Sequence, residues 1–501
     1  MLSRRYVERR KEKKAFWNPG NGKLFVEGAG LLTSNHAILA EACTAAIAYQ
    51  VDVLYLMPCR GRWTDQRGQY PGKKDWEISG LHLDAYFRNH AAVVGLESGK
   101  DLVDVVPIGL WFPSYQEGMY MSDVIKVMRI LQELLEKHFQ GIDVVKGKHE
   151  SRRVEILTTP ARTGMDLLRR KLPYGAKYED LPPEVENIIM SQFGQARTEL
   201  FHHGREVVDN LHNYDGRWMY ASCCRHMPVG GVVHDDLDRF EPYVPGFYRV
   251  EARVPHNWNH IGLLPVREGN RAVYPNKPGT SFESWCSHRQ LQLALSHQWE
   301  ICCIEERILW PDTHARGMKI GQDPLRHWME TLVKLREEMA NEYDEPIRSF
   351  LRDGFRSLLN QPIGRLHMGK RKVDVYTQNY AEDPGEGAHL VEEFEDGSCH
   401  YQKNGELTNY QRENFKPHWA LAIWTMAQWK ATRAALQVPY DQLVSIRTDG
   451  IWTTCQCGFD DTGKPGCFRE KPLKLTGPFD WPSGPFADVQ FIQMIQRSRN
   501  G

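Results

Sequence analysis

The chain has 501 residues, 41% hydrophobic and 25% charged, with a formal net charge of -1 at pH 7. That length allows about two to four domains with sizeable cores. The near-zero charge excludes a global basic field, so a nucleic-acid partner must meet charge segregated into a groove.

The first 14 residues, MLSRRYVERRKEKK, hold seven Lys or Arg against two Glu. No apolar run follows, so they do not read as a signal peptide. They read as a solvated helix or tail, or as a contact to phosphate backbone. No apolar run of about 18 residues occurs anywhere, so no membrane-spanning helix and no membrane partner is expected.

Eleven cysteines at 43, 59, 223, 224, 286, 302, 303, 399, 455, 457 and 467 follow no disulfide framework. Their odd number predicts reduced thiols in a cytoplasmic compartment. Cys455, Cys457 and Cys467 are close enough in sequence for a metal knuckle but lack a fourth ligand at standard spacing.

Residues 24–27 read as a short first strand, 35–50 as a helix, 51–56 as a buried strand and 102–112 as another strand. Residues 122–139 form a strongly amphipathic helix, with Val124, Val127, Met128, Leu131, Leu134 and Leu135 on one face. Alternating strands and helices predict an α/β N-terminal domain ending near residue 160. A helix is predicted through 186–190. Residues 193–199 follow, with Gly194, Ala196 and Arg197. Small residues there let backbone approach a phosphate that Arg197 could pair with; a plain helix-to-strand turn fits equally.

Asp215 lies in Asn213-Tyr214-Asp215-Gly216-Arg217-Trp218-Met219-Tyr220, between β-formers that place the acid at a strand end. Asp-Gly is also a strong hairpin signal. Asp235, Asp236 and Asp238 form a rival acidic cluster that reads as a solvated loop. Residues 246–254 are strand-like and 285–296 helical. Residues 328–337 form a helix carrying Lys334 and Arg336.

Residues 347–359 form another, with Arg348, Arg352, Arg356 and Asn360 on one face. A ladder of arginines suits a triphosphate; an exposed basic face is the plainer alternative. Residues 417–436 make a helix opened by Pro417, with an apolar stripe of Ala420, Ile423, Trp424, Ala427, Ala431 and Ala434. Residues 443–447, 448–450 and 451–454 read as strand, turn and strand, with Asp449 at the hairpin tip.

Two carboxylates separated by a basic helix are what two-metal nucleotidyl transfer requires. The three segments resemble motifs A, B and C of family B DNA polymerases, closest to the protein-primed phage branch, over about residues 190–475. The motifs are Asp215 to Tyr220, Arg356-to-Gly364 with Asn360 between, and Ser445-Ile446-Arg447-Thr448-Asp449-Gly450.

The resemblance implies a multidomain α/β and α+β right-hand polymerase. It would have an antiparallel-sheet palm, helical fingers and a short thumb. A degenerate RNase H-like exonuclease domain would precede them. The implied divisions are an N-terminal domain over 1–160, linker and first palm part over 161–255, and an insertion-like region over 256–320. Fingers then cover 321–366, a second insertion 367–412, the second palm part 413–460 and a reduced thumb 461–501.

It also implies roles. Asp215 and Asp449 would hold Mg²⁺, with Mn²⁺ able to replace it. Arg336, Arg352, Arg356 and Asn360 would bind the triphosphate, and Tyr220 would lie under the sugar and exclude a 2′-hydroxyl. Arg197, Arg447 and Lys471 would contact DNA. Partners would be DNA template-primer, dNTPs and, in the protein-primed branch, a terminal protein; the context would be bacterial, phage or mobile-element. Two departures stand out. Arg447 replaces the family's first motif C aspartate, and residues 24–28 lack the D-x-E pair of a proofreading site. A catalytically silent polymerase-like binding protein and a template-independent or protein-priming nucleotidyltransferase therefore remain as alternative readings.

Overall fold

The computed structural model describes residues 12–18, 20–36, 39–57, 92–95, 102–114, 120–139, 154–172, 180–192, 197–201, 207–208, 211–268, 271–315, 323–367, 372–377, 389–393, 399–404, 415–459, 461–471 and 479–480. The basic residues 1–11, residues 193–196 and most of 378–414 lie outside them. The chain divides into two compact units. One holds residues 1–174 and 325–362; the other holds 175–324 and 363–501.

The first unit is built on a six-stranded sheet. Its strand order is Gly30–Leu31, Lys23–Val26, Lys14–Asn18, Val53–Leu56, Leu102–Pro107, Ala92–Gly95. Lys14–Asn18, Val53–Leu56 and Leu102–Pro107 run parallel, and the other pairings are antiparallel. The continuous apolar Val-Leu-Tyr-Leu of the central strand is what a sheet covered on both faces requires. Strand alternation turns Ala15, Trp17, Leu24 and Val26 into one core with Ala42, Cys43 and Ala46 of the Leu39–Ala48 helix. The first strand is therefore Lys14–Asn18, not residues 24–27. It sits directly behind a basic run, and only the Ala15-Phe16-Trp17 triplet signals it.

The Met121–Phe139 helix buries the predicted apolar stripe. The Pro160–Lys171 helix is capped by Thr159, whose side chain accepts from the Arg162 amide, with Pro at its first turn. Gly164 on that helix meets the Ile347–His367 helix: a Cβ would stand 2.4 Å from the Leu358 carbonyl oxygen. The long helix is further pinned by Gln361 Nε2 donating to the Leu110 carbonyl at 2.8 Å. Asp353 accepts from the Ser114 amide at 2.7 Å. It continues through Pro362, beyond the predicted end at 359, because Leu358, Leu359, Ile363 and Leu366 carry one buried face onward.

The second unit contains two larger antiparallel sheets. One orders Val233–Asp235, Glu300–Leu309, Gly246–Arg253 and Ser281–Ser287. Its faces alternate: Tyr248, Val250 and Ala252 join the core of the His288–Ser296 helix, while Phe247 joins Trp310 and Leu421. Residues 285–287, expected to be helical, finish a strand instead. Ser287 and Gln290 then form a capping box that starts the helix.

The other sheet orders Phe468–Lys471, His212–Gly216, Gly450–Thr453, Leu443–Arg447 and Thr198–Leu200. The Pro417–Ala435 helix packs against this unit with nearly every turn buried. Trp419 Nε1 donates to the Pro228 carbonyl at 2.8 Å. Among the described residues, no helix is long and apolar enough to cross a membrane.

Candidate active site

Asp215 closes the His212–Gly216 strand and stands opposite Gly450 on one side and Arg469 on the other. Gly216 N donates to the Asp449 carbonyl at 2.8 Å. The two acids, far apart in sequence, are thus neighbours at one end of one sheet. Asp215-Gly216 is not a hairpin. Gly216 is small because a Cβ there would lie 2.4 Å from Met219 Cε and 3.3 Å from the Asp449 carbonyl. Trp218, at φ 51, then swings the chain into the Met219–Cys223 helix, so Asp215 stands at a strand end as expected while the β-formers after it turn helical.

Arg447 pairs with Gly450, which leaves Thr448 and Asp449 as a two-residue turn. Thr448 has φ 56, an uncommon conformation for a β-branched residue. Two bonds hold it there. Its amide donates to the Arg197 carbonyl at 2.8 Å. Its hydroxyl donates to Asp449 Oδ1 at 2.9 Å.

The surroundings of these acids are cationic. Lys471 Nζ lies 2.7 Å from Asp215 Oδ2. Arg447 is half-buried at the start of the turn. Lys430, which sequence reasoning missed, donates to Ser222 Oγ at 2.6 Å. Its signal was a lysine directly after the apolar first three turns of the Pro417–Ala435 helix. Tyr220 sits on the short helix beside these groups. Burial, and next the negative charge of Asp449, push its phenol up to about 12, so it stays a neutral hydrogen-bond donor. Burial likewise pushes the Cys223 thiol up to about 11.

Arg197 corrects an expectation. Its side chain is fully buried, paired with Glu199 and donating to Thr432 Oγ1 at 2.7 Å. Its guanidinium lies 3.8 Å above the Tyr274 ring. An arginine so enclosed cannot meet a phosphate; it braces the turn that carries Asp449. The rival acids are also structural: Asp235 pairs with Arg307, and Asp238 accepts from the Ile304 amide. Among the described residues, no group of three or more His, Cys, Asp or Glu is placed to hold a metal. Cys455, Cys457 and Cys467 therefore do not form the knuckle their spacing suggested.

Arg336, Arg352, Arg356 and Asn360 lie in the first unit. Arg336 donates to the Arg352 carbonyl at 3.1 Å and pairs with Glu337 at 3.0 Å; Arg352 reaches the same Glu337 at 3.6 Å. Arg356 is exposed and makes no ion pair among the described residues. Asn360 is half-buried one turn further on. Arg348 leaves the ladder, because its Nε donates to the Tyr343 carbonyl at 2.9 Å. Lys334 is exposed beside Glu338.

No protein-family model and no curated protein matches the chain. Solved structures of Phi29 DNA polymerase do. Its post-translocation binary complex with primer-template DNA superposes with a TM-score of 0.53 at 12% identity, covering 91% of this chain and 84% of that one. Its ternary complex with primer-template DNA and incoming nucleotides gives 0.52 at 11%, covering 92% and 84%. An orthorhombic crystal form gives 0.51 at 12%, covering 89% and 80%. At that identity the likeness shows a shared fold.

Proposed function

We propose that this chain is a DNA-directed DNA polymerase of the protein-primed family B kind, adding deoxynucleotides to a 3′ or protein-primer hydroxyl. The observation that carries the reading is the meeting of Asp215 and Asp449 at one end of an antiparallel sheet, within a fold shared with a DNA polymerase. The donor set fits a hard divalent cation, since carboxylate oxygens are the ligands such ions take. Asp215 and Asp449 would hold Mg²⁺. When bound, Mg²⁺, or Mn²⁺ in its place, supplies Lewis-acid stabilisation of the phosphoryl oxygens.

The chain's own side chains supply the positioning. Tyr220 presents an uncharged ring beneath the sugar. By the resemblance, Arg336, Arg352, Arg356 and Asn360 would bind the triphosphate; Arg356 is exposed on its helix. Lys471 and Arg447 hold the primer backbone. The test is primer extension with each dNTP, with and without template. Asp215→Asn and Asp449→Asn should each keep the fold and lower incorporation by on the order of 10³-fold or more. Either mutant retaining above about a tenth of the wild-type rate would remove that residue from the site.

In the first unit, the strand order and the three parallel strands support an RNase H-like arrangement without proofreading. The central Lys14–Asn18 strand carries no acid. Asp52 accepts the Lys13 amide at 2.8 Å, and Asp104 accepts from Thr158 at 3.1 Å. A labelled single strand with Mg²⁺ should stay full length. Steady 3′→5′ shortening that persists in Asp449→Asn would reveal an exonuclease site.

A second reading has its own support: Lys471 on Asp215, and Arg447 where the family has an acid, suit a silent polymerase-like binding protein. Tight primer-template binding with no extension under any metal would decide for it.

A further inference from the structure

Cys455 and Cys457 lie just beyond the Gly450–Thr453 strand, and their sulfurs are 3.8 Å apart. Both are half-buried, so a small reagent can reach them. Among the described residues, those around them do not make a metal centre. They are tied instead to the strand that carries Asp215. The Cys457 amide donates to Tyr214 Oη at 2.7 Å. Tyr214 is the neighbour of Asp215, and its ring stands edge-on to Phe459 at 4.8 Å. Thr453 Oγ1 donates to the Cys455 carbonyl at 2.6 Å.

We propose that Cys455 and Cys457 form a reversible thiol–disulfide modification site, closed by a small-molecule disulfide such as oxidised glutathione, which acts on the Asp215 strand through Tyr214.

Closing the bond requires the sulfurs to approach from 3.8 Å to about 2.05 Å. With only Gln456 between the two cysteines, the new bond closes a small ring that contains both peptide units of residue 456 and so constrains their torsions. The Cys457 amide is one of those units, so Tyr214 loses its donor.

The chemistry balances. Cys455 loses its proton to solvent and the thiolate attacks one sulfur of glutathione disulfide; that S–S bond breaks and one glutathione thiolate leaves. Cys457 then loses its proton to solvent and attacks the Cys455 sulfur. The second glutathione thiolate leaves, and both leaving thiolates take up protons. Two protein thiols are oxidised and one glutathione disulfide is reduced to two thiols. Burial pushes the Cys457 thiol up; exchanging the roles of the two sulfurs leaves the balance the same.

The effect on activity rests on the polymerase reading; the bond itself does not. The test uses the full chain, treated with oxidised glutathione and mapped by peptide mass spectrometry. The expected product has lost two hydrogens between residues 455 and 457, is restored by dithiothreitol, and is absent from Cys455→Ser and Cys457→Ser. Amide hydrogen exchange at residues 213–215 should quicken on oxidation in the wild type alone. Primer extension should fall about two- to tenfold, the worth of one hydrogen bond near the site. A lasting glutathione adduct, or a disulfide mapping to Cys467, overturns the proposal. So does unchanged exchange at 213–215 in the oxidised chain. If the bond forms and exchange quickens but no form of the protein extends a primer, the switch stands and the polymerase reading falls.

Discussion

Lys471→Met removes a cation while keeping an apolar stem of similar length. In the wild type its ammonium lies 2.7 Å from Asp215 Oδ2, with the two side chains 33% and 21% exposed. A charge-assisted bond contributes about 1.5–3 kcal/mol when shielded, and water screening at this exposure reduces it to about 1 kcal/mol. A divalent cation bound by Asp215 must displace that ammonium. Without it, metal affinity should therefore rise about fivefold. Calorimetric titration of the DNA-free protein with Mn²⁺ measures this directly. Primer extension should show the opposite trend, a higher KM for primer-template, because the freed ammonium would otherwise meet a phosphate. Metal affinity that is unchanged or weaker in Lys471→Met would refute the competition, and with it the placement of a cation on Asp215.

Tyr220→Val should raise ribonucleotide use while sparing deoxynucleotides, read as the ratio of kcat/KM for dATP against ATP; an unchanged ratio would remove Tyr220 from under the sugar. The second unit should also lose stability in acid. Burial lowers His418 to about 3, and His288 and His367 to about 4. Each folded pKa lies below the unfolded value of about 6.5, so the unfolded chain binds more protons between those limits. The stability these neutral rings support is full above pH about 6.5 and declines as pH falls toward 4. The slope is about 1.4 kcal/mol per pH unit for each ring. Thermal melts of the wild type and His418→Phe test this; the mutant should show a shallower decline, and parallel curves would exclude His418 as a contributor.

What could be read from sequence depended on the range of the interaction. The Met121–Phe139 and Pro417–Ala435 helices were legible because their apolar residues recur on one face. Asp449 was legible as a turn residue because Thr-Asp-Gly separates two β-forming runs. The Lys14–Asn18 strand was obscured by the charged run before it. Its parallel pairing with Val53–Leu56 is a long-range choice that no local pattern records. The burial of Arg197 was hidden for the same reason, since its partners Thr432 and Tyr274 come from distant segments. Pro362 misled in the other direction. Local chemistry disfavours it inside a helix, yet tertiary packing carries the helix past it.

The hydrogen bond from Gly216 N to the Asp449 carbonyl makes backbone pairing the ruler of the candidate site. Adjacent strands stand about 4.8 Å apart whatever side chains they bear. The spacing between the two acid-bearing backbones is therefore a property of the peptide unit, protected from drift in the residues around it. Substitutions that keep the pairing of His212–Gly216 with Gly450–Thr453 leave that interval unchanged. The vulnerable point is Gly216. A methyl group there would have to displace the end of the Met219 side chain and would press on the Asp449 carbonyl oxygen at 3.3 Å, where the two strands touch.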